Sequence, residues 1–159
     1  MMVVVAILIA IASLVVSHFL TRDLSRQEHD RMEVWAEAMR SLSHADENTD
    51  LSLVLKVLNG NNTIPVIVMD RKGHVSDFRN VEVSAKDAQD SLRLLTDIGQ
   101  QFKSSGRSIR ISLNDVAKGD YIDVCYGESL MLTRLAYYPF VQLGVVMLFV
   151  VVAIFALLT

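Results

Sequence analysis

Two uninterrupted apolar runs, near Met2 to Leu20 and Phe140 to Leu158, stand at the ends of this chain and bracket a charged middle of ordinary composition. In the first run the only polar side chains are Ser13, Ser17 and His18, while the second is rich in Val, Leu and Phe and carries Gln142 and Gly144 near its start. At a rise of about 1.5 Å per residue, either run as a helix reaches roughly 28 Å, enough for the hydrocarbon core of a bilayer. A cleaved signal peptide is the rival reading of the first run. It is disfavoured because no Lys or Arg precedes the run and the small-x-small site Ala10-Ile11-Ala12 lies inside it. Tyr137-Tyr138-Pro139 precedes the second run. Tyrosines suit the headgroup layer, and a proline at a helix start forfeits no internal hydrogen bond. The predicted division is 2–20 transmembrane helix, 21–136 water-soluble domain, and 137–158 interfacial Tyr-Tyr-Pro with a second transmembrane helix.

The apolar fraction of 52% in 159 residues comes largely from those ends. A net charge of −3 offers no clustered basic surface for phosphates, so nucleic acid is not a partner to expect. With Cys125 as the single cysteine, no internal disulfide can form, and the domain must be held by its core. Arg22, Arg26, Arg31 and Arg134 all lie in the middle segment. Counted naively they place it in the cytoplasm, but the positive-inside rule weakens beyond about 60 residues, so charge leaves the orientation open. A membrane protein rarely stops flush with its last apolar residue, and a cytoplasmic part is expected beyond Thr159.

Thr21 to about Ser43 lacks Gly and Pro and reads as a helix continuing the first run. Met32, Trp35, Met39 and Leu42 form one apolar stripe, wetter toward Thr21, Ser25 and Glu28. Packing on the domain's own sheet and a coiled-coil dimer seam both explain it. Asp50 to Leu58 is a short helix ended by Asn59-Gly60-Asn61-Asn62. Ile64 to Met69 is apolar on both faces and predicts a strand covered on both sides, followed by a turn at Asp70-Arg71-Lys72-Gly73 and a strand from His74 to Asn80. Ser84 to Lys103 returns to helical spacing, with Ser84 as N-cap and Ala88, Leu92, Leu95, Ile98 and Phe102 on one side. Ser108 to Leu113 and Tyr121 to Tyr126 make a second strand pair. Placing Ile109, Ile111 and Leu113 with Ile122, Val124 and Tyr126 gives one apolar face, and leaves Arg110, Ser112, Tyr121, Asp123 and Cys125 on the other. The predicted class is α+β: an antiparallel sheet of about four strands with helices packed on it, between two transmembrane helices.

Little catalytic chemistry is visible. His18, His29, His44 and His74 share no ligand spacing, no phosphate loop or nucleophile elbow occurs, and Cys125 has no histidine near it in sequence. His18, near a helix end, can snorkel to the interface. Asn61-Asn62-Thr63 matches a glycosylation sequon and reads structurally as a turn. Arg79, Arg110 and Asp123 are candidates for binding an anionic or zwitterionic ligand if they converge, with surface ion pairing as the alternative. Gln142 is placed to bond across a helix bundle or to be hydrated at the interface.

Ile64-Pro65-Val66-Ile67-Val68-Met69-Asp70, Arg79-Asn80, Tyr126-Gly127-Glu128-Ser129 and Tyr137-Tyr138-Pro139-Phe140-Val141-Gln142-Leu143 resemble the N-terminal region of HAMP-less sensor histidine kinases of Bacteroidetes-type bacteria. The layout also resembles extracytoplasmic PAS-like or Cache-like sensors. The chain departs from the family in having Cys125-Tyr126 where a Tyr pair is common. The resemblance implies a homodimer in the bacterial inner membrane, a periplasmic domain recognising a small-molecule or envelope signal, and a cytoplasmic kinase core. That core would use ATP and Mg and pass a phosphoryl group to a response regulator, whereas the present residues would hold no cofactor. A signal would shift the sheet, tug on Glu128 to Pro139 and move the second span, with Glu128, Pro139 and Gln142 as transmitting residues. The input region of a chemoreceptor or cyclase, and a non-signalling membrane scaffold or complex subunit, are the competing readings.

Overall fold

The computed structural model describes residues 2–84, 87–113 and 119–158. Among them the order is α1 (Met2–Ser43), α2 (Ser52–Gly60), β1 (Val66–Asp70), β2 (Val75–Arg79), α3 (Ala88–Ser104), β3 (Ser108–Ser112), β4 (Tyr121–Tyr126) and α4 (Leu130–Leu158). The class is α+β, with one antiparallel four-stranded sheet in the order β2-β1-β4-β3 and an apolar helix at each end. The chain divides into two compact units, Gln27–Ser129 and the outer parts of α1 and α4.

In the helical unit, α1 and α4 each contain a stretch long and apolar enough to cross a membrane. Their large apolar side chains point outward, among them Leu8, Phe19, Phe149 and Val151. The helix following Tyr126 starts at Leu130, earlier than the interfacial motif suggested, and Pro139 therefore sits inside α4 and not at its start. Lacking an N–H, Pro139 deprives the Leu135 carbonyl of its usual donor four residues on. Tyr137 and Tyr138 are likewise helical and exposed.

The Gln27–Ser129 unit is a sheet with helices on both faces. Val66, Val68, Val124 and Tyr126 pack with Met32, Trp35 and Ala36 of α1 and Leu58 of α2. Met39 and Leu42 complete the stripe on α1 against the same core, so this stripe packs on the chain's own sheet. Trp35 Nε1 donates to the Leu58 carbonyl at 3.1 Å, tying α1 to the end of α2. On the opposite face Ile67, Met69 and Cys125 meet Leu95, Ile98 and Phe102 of α3. β1 is buried on both sides, as its apolar run requires, and each such side chain contributes about 1.5–3 kcal/mol.

Hairpin registers follow the side-chain pattern. Ile109 faces Val124, Ile111 faces Ile122 and Arg110 faces Asp123, the predicted pairing of β3 with β4. The turn from β1 to β2 is closed by the Asp70 carboxylate, which accepts from the Lys72 and His74 amides at 2.8 Å, with Gly73 at φ +83°. Two expectations need correction. The N-cap of α3 is Asp87, whose side chain accepts from the Asp90 amide, and not Ser84; residues 85 and 86 lie outside the described set. Ala88 and Leu92 are exposed, because the covered face of α3 is set by Leu95, Ile98, Gly99 and Phe102.

Candidate functional site

Arg110 and Asp123 face each other across the β3–β4 pair, on the side of the sheet that α3 covers. Asp123 is only 2% exposed, so a face expected to be polar is in fact interior. Arg110 grips this carboxylate with two nitrogens, at 2.8 and 3.2 Å, and Lys103 at the end of α3 adds a third bond at 2.6 Å. The Arg110 guanidinium also lies over the Tyr121 ring, 3.9 Å from its centroid. Burial pushes the Asp123 carboxyl up, but the hydrogen bonds and charges of Arg110 and Lys103 outweigh it and hold the group below its ordinary range. Bonding to Asp123 raises both Lys103 and Arg110 in return. Neighbouring Cys125 is wholly buried, and burial first, then the Asp123 charge, pushes its thiol up to about 11. A neutral, enclosed thiol is a poor nucleophile.

Arg79 does not join this group. It stands on β2, at the far edge of the sheet and on the face that α1 covers, roughly 14 Å away across three strand spacings. Its guanidinium donates to the Leu58 carbonyl at 2.6 Å and to Asn59 Oδ1 at 3.3 Å, fastening the end of α2. The three sequence candidates thus do not converge, and Arg110 and Asp123 act with Lys103 as a structural ion cluster. Among the described residues no three His, Cys, Asp or Glu side chains gather as a metal site.

The more telling constellation lies where α1 meets the chain leaving β4. Glu28 on α1 is 9% exposed, and its carboxylate accepts from both the amide (3.3 Å) and the hydroxyl of Ser129, the residue just before α4. One residue along α1, His29 Nδ1 is hydrogen-bonded to the hydroxyl of Tyr126, the last residue of β4. His29 Nε2 faces Glu33 at 3.4 Å. Glu128 pairs with Arg107 at 2.6 Å, and the Gly127 amide donates to the Pro65 carbonyl at 2.9 Å. Burial foremost raises the Tyr126 hydroxyl, with Glu33 and Glu28 adding to the rise and Arg107 opposing it. Every residue from 126 to 129 is therefore held by another part of the chain. The sequence carried one sign of this: Glu28 continues the stripe of Met32 and Trp35, a position where an acid is buried only with a partner.

In the helical unit the Ser13 hydroxyl donates to Gln142 Oε1 at 2.6 Å, so the polar residue singled out in the second apolar run bonds to one in the first. Within the domain, a largely apolar groove of about 480 Å³ beside α1 is lined by Trp35, Val57 and Ile64 together with Asp30, Arg31 and Thr63. That volume falls within the range of small-molecule sites. Comparison with known family models, with curated proteins and with solved structures finds no match.

Proposed function

We propose that this chain is the sensing and membrane-anchoring input region of a two-component sensor histidine kinase, similar to the HAMP-less kinases its motifs resemble. In this reading the apolar stretches of α1 and α4 are inner-membrane spans, the Gln27–Ser129 unit is a periplasmic PAS- or Cache-like sensor, and the working form is a homodimer. The observation that carries the proposal is the pair of contacts Glu28–Ser129 and His29–Tyr126, which join the incoming helix to the last strand and the start of the outgoing segment. A domain that only bound another protein has no need to tie its two chain connections together. A receptor does, since a signal acts only by favouring one of two arrangements of those connections.

Moving such an equilibrium from 1:99 to 99:1 takes about 5.5 kcal/mol. A single bond of about 1–3 kcal/mol falls short, whereas the combined loss of the Glu28, His29 and Arg107 contacts is of that order. Gln142 and Pro139 then lie on the outgoing helix as residues through which movement is transmitted. ATP and Mg would be used by a kinase core after Thr159, which would phosphorylate a response regulator.

Two measurements test the reading. Membrane vesicles carrying the full-length gene product, given γ-labelled ATP, should acquire acid-labile, base-stable phosphate, and Glu28→Ala should change its level. If no label appears and the coding sequence after Thr159 encodes no histidine-bearing helix pair and ATP-binding domain, the kinase assignment is wrong. For orientation, Ser105→Cys in a Cys125→Ala background should react with an impermeant maleimide in intact cells with a permeabilised outer membrane. Labelling only after lysis places the domain in the cytoplasm and removes the periplasmic sensor.

A further inference from the structure

The sheet has two edges, β2 and β3. The first is blunted: the β1–β2 register shifts between Val68 and Met69, and Arg79 at the end of β2 is fastened to α2. β3 is not. Its five residues pair with β4 in unbroken register and include no proline. Next to β3, the Leu113 amide donates to the Asp120 carbonyl at 3.0 Å and the Tyr126 amide to the Arg107 carbonyl at 3.1 Å. Bonded and non-bonded pairs alternate along an antiparallel ladder, so Ile109 and Ile111 also turn their backbone groups to β4. Ser108, Arg110 and Ser112 turn theirs away from it. Among the described residues nothing hydrogen-bonds those three amides and carbonyls.

Beside this edge lies a gap of about 350 Å³, lined by Ile109, Arg110, Ile111 and Ser112 of β3 and by Glu33, Ala36, Glu37 and Arg40 of α1. The two faces of the edge carry opposite charge. Toward α1, Glu33 and Glu37 outnumber Arg40, which is already paired with Glu37 at 2.6 Å. Toward α3, Lys103 and Arg110 outnumber Asp123, and the Arg110 side chain is still 56% exposed.

We propose that the free edge of β3 docks an extended segment of a partner protein, which adds as a fifth, antiparallel strand and carries an acidic residue between two basic ones. Main-chain bonds to Ser108, Arg110 and Ser112 supply the attachment, and alternate side chains supply the selectivity. The residue opposite Arg110 points to the same face as Arg110, where the excess of positive charge favours an acid. Its two neighbours point to the other face, beside Ile109 and Ile111, where Glu33 and Glu37 favour Lys or Arg. A second copy of the chain fits this edge poorly. Ser108-Ile109-Arg110-Ile111-Ser112 reads the same in both directions, so two copies paired about its centre set Arg110 against Arg110, and like charges directly opposite are destabilising. The inference goes beyond the kinase reading and does not rest on it.

The test titrates the full chain in lipid nanodiscs with a disulfide-closed β-hairpin whose free strand reads Thr-Lys-Glu-Lys-Thr, a probe extended before it binds, and follows backbone amides by NMR. The Ser108, Arg110 and Ser112 amides should shift with a dissociation constant below about 1 mM. At about nine times that constant their exchange with water should slow about tenfold, while the Val124 amide inside the sheet stays unchanged. A hairpin reading Thr-Glu-Lys-Glu-Thr sets Lys against Arg110 and Glu against Glu33 and Glu37, and should bind at least about tenfold more weakly. Ser112→Pro removes an outward donor where an edge strand tolerates proline, and should weaken binding by a similar factor with the Val124 amide again unchanged. No shift at Arg110 up to about 1 mM hairpin overturns the proposal, as does equal binding of the two hairpins or undiminished binding to Ser112→Pro. Protection of the Arg110 amide that rises with the concentration of the chain alone also overturns it, and gives the edge to a second copy. Because the readout involves no ATP, loss of the kinase assignment would leave this result standing.

Discussion

Asp123 shows how a carboxylate is kept charged in an interior. It sits among Cys125, Lys103 and Arg110 with its side chain almost fully enclosed, and burial alone would favour the neutral acid. Three hydrogen bonds from two cations reverse that preference, and because Lys103 and Arg110 remain partly in water, their own desolvation is small. Asp123→Asn keeps the shape and loses the charge; hydrogen bonds to a charged group are worth about 1.5–3 kcal/mol, and a loss of that order is expected in urea unfolding at pH 7. The sign with pH follows from the lowered carboxyl. Its stabilisation is complete above the ordinary value of 3.8 and disappears as pH falls through the lower folded value. The parent and the variant should therefore converge in stability below that range. A gap that fails to narrow at all as the pH is taken from 7 to well below 3.8 would show that the charge is not what Asp123 contributes.

The closeness of α3 to the sheet depends on two glycines that no local pattern explains. A Cβ on Gly99 would come within 2.8 Å of Met69 Sδ and 3.2 Å of Ile67 Cγ2, and one on Gly127 within 2.6 Å of the Phe102 ring and 3.0 Å of Pro65. Rings and prolines yield less readily than a thioether, so Gly127 is the tighter position. Gly127→Ala should destabilise the domain by about 1–3 kcal/mol, the usual range for forced overpacking. Gly60→Ala, at the end of α2 with nothing within 4 Å, should instead stabilise by about 0.4–1 kcal/mol by restricting the unfolded chain. Thermal denaturation of the two variants side by side checks this, and a lowered midpoint for Gly60→Ala or an unchanged one for Gly127→Ala would contradict it. On α1, the stripe through Met32 and Trp35 is occupied by the chain's own sheet, which settles which of its two sequence readings applies.

The two units obey opposite solvent rules. Gln27–Ser129 hides its apolar side chains between helices and sheet, whereas α1 before Thr21 and most of α4 turn them outward. At about 25 cal/mol per Å², such a surface is costly in water and costs nothing in a bilayer. A side-chain bond between the two apolar helices, Ser13 to Gln142, gives both polar groups a partner, and bonds of this kind between helices of membrane proteins contribute about 0.6 kcal/mol. The chain should stay with the pellet when membranes are washed in alkaline carbonate, and Gln142→Leu should not release it. Recovery in the supernatant would mean that another protein surface, not lipid, covers these helices.

Apolar runs, helical stripes and strand alternation were readable from the residues alone because each reports on a neighbourhood a few positions wide. They yielded both terminal helices, the continuous stem of α1, the two hairpins and the β3–β4 register. The side-by-side placement of β1 and β4, and the choice of α3 to cover the Asp123 face, join segments more than forty and about twenty positions apart, and no short-range period encodes them. That is why Arg79 looked available to Arg110 and Asp123 until the strand order put it on the other edge. It is also why Lys103, Ser129 and the His29–Tyr126 pair acquired partners only when distant segments packed: a polar group leaves water for whatever donor or acceptor the fold brings to it, and that choice is made by the assembled core.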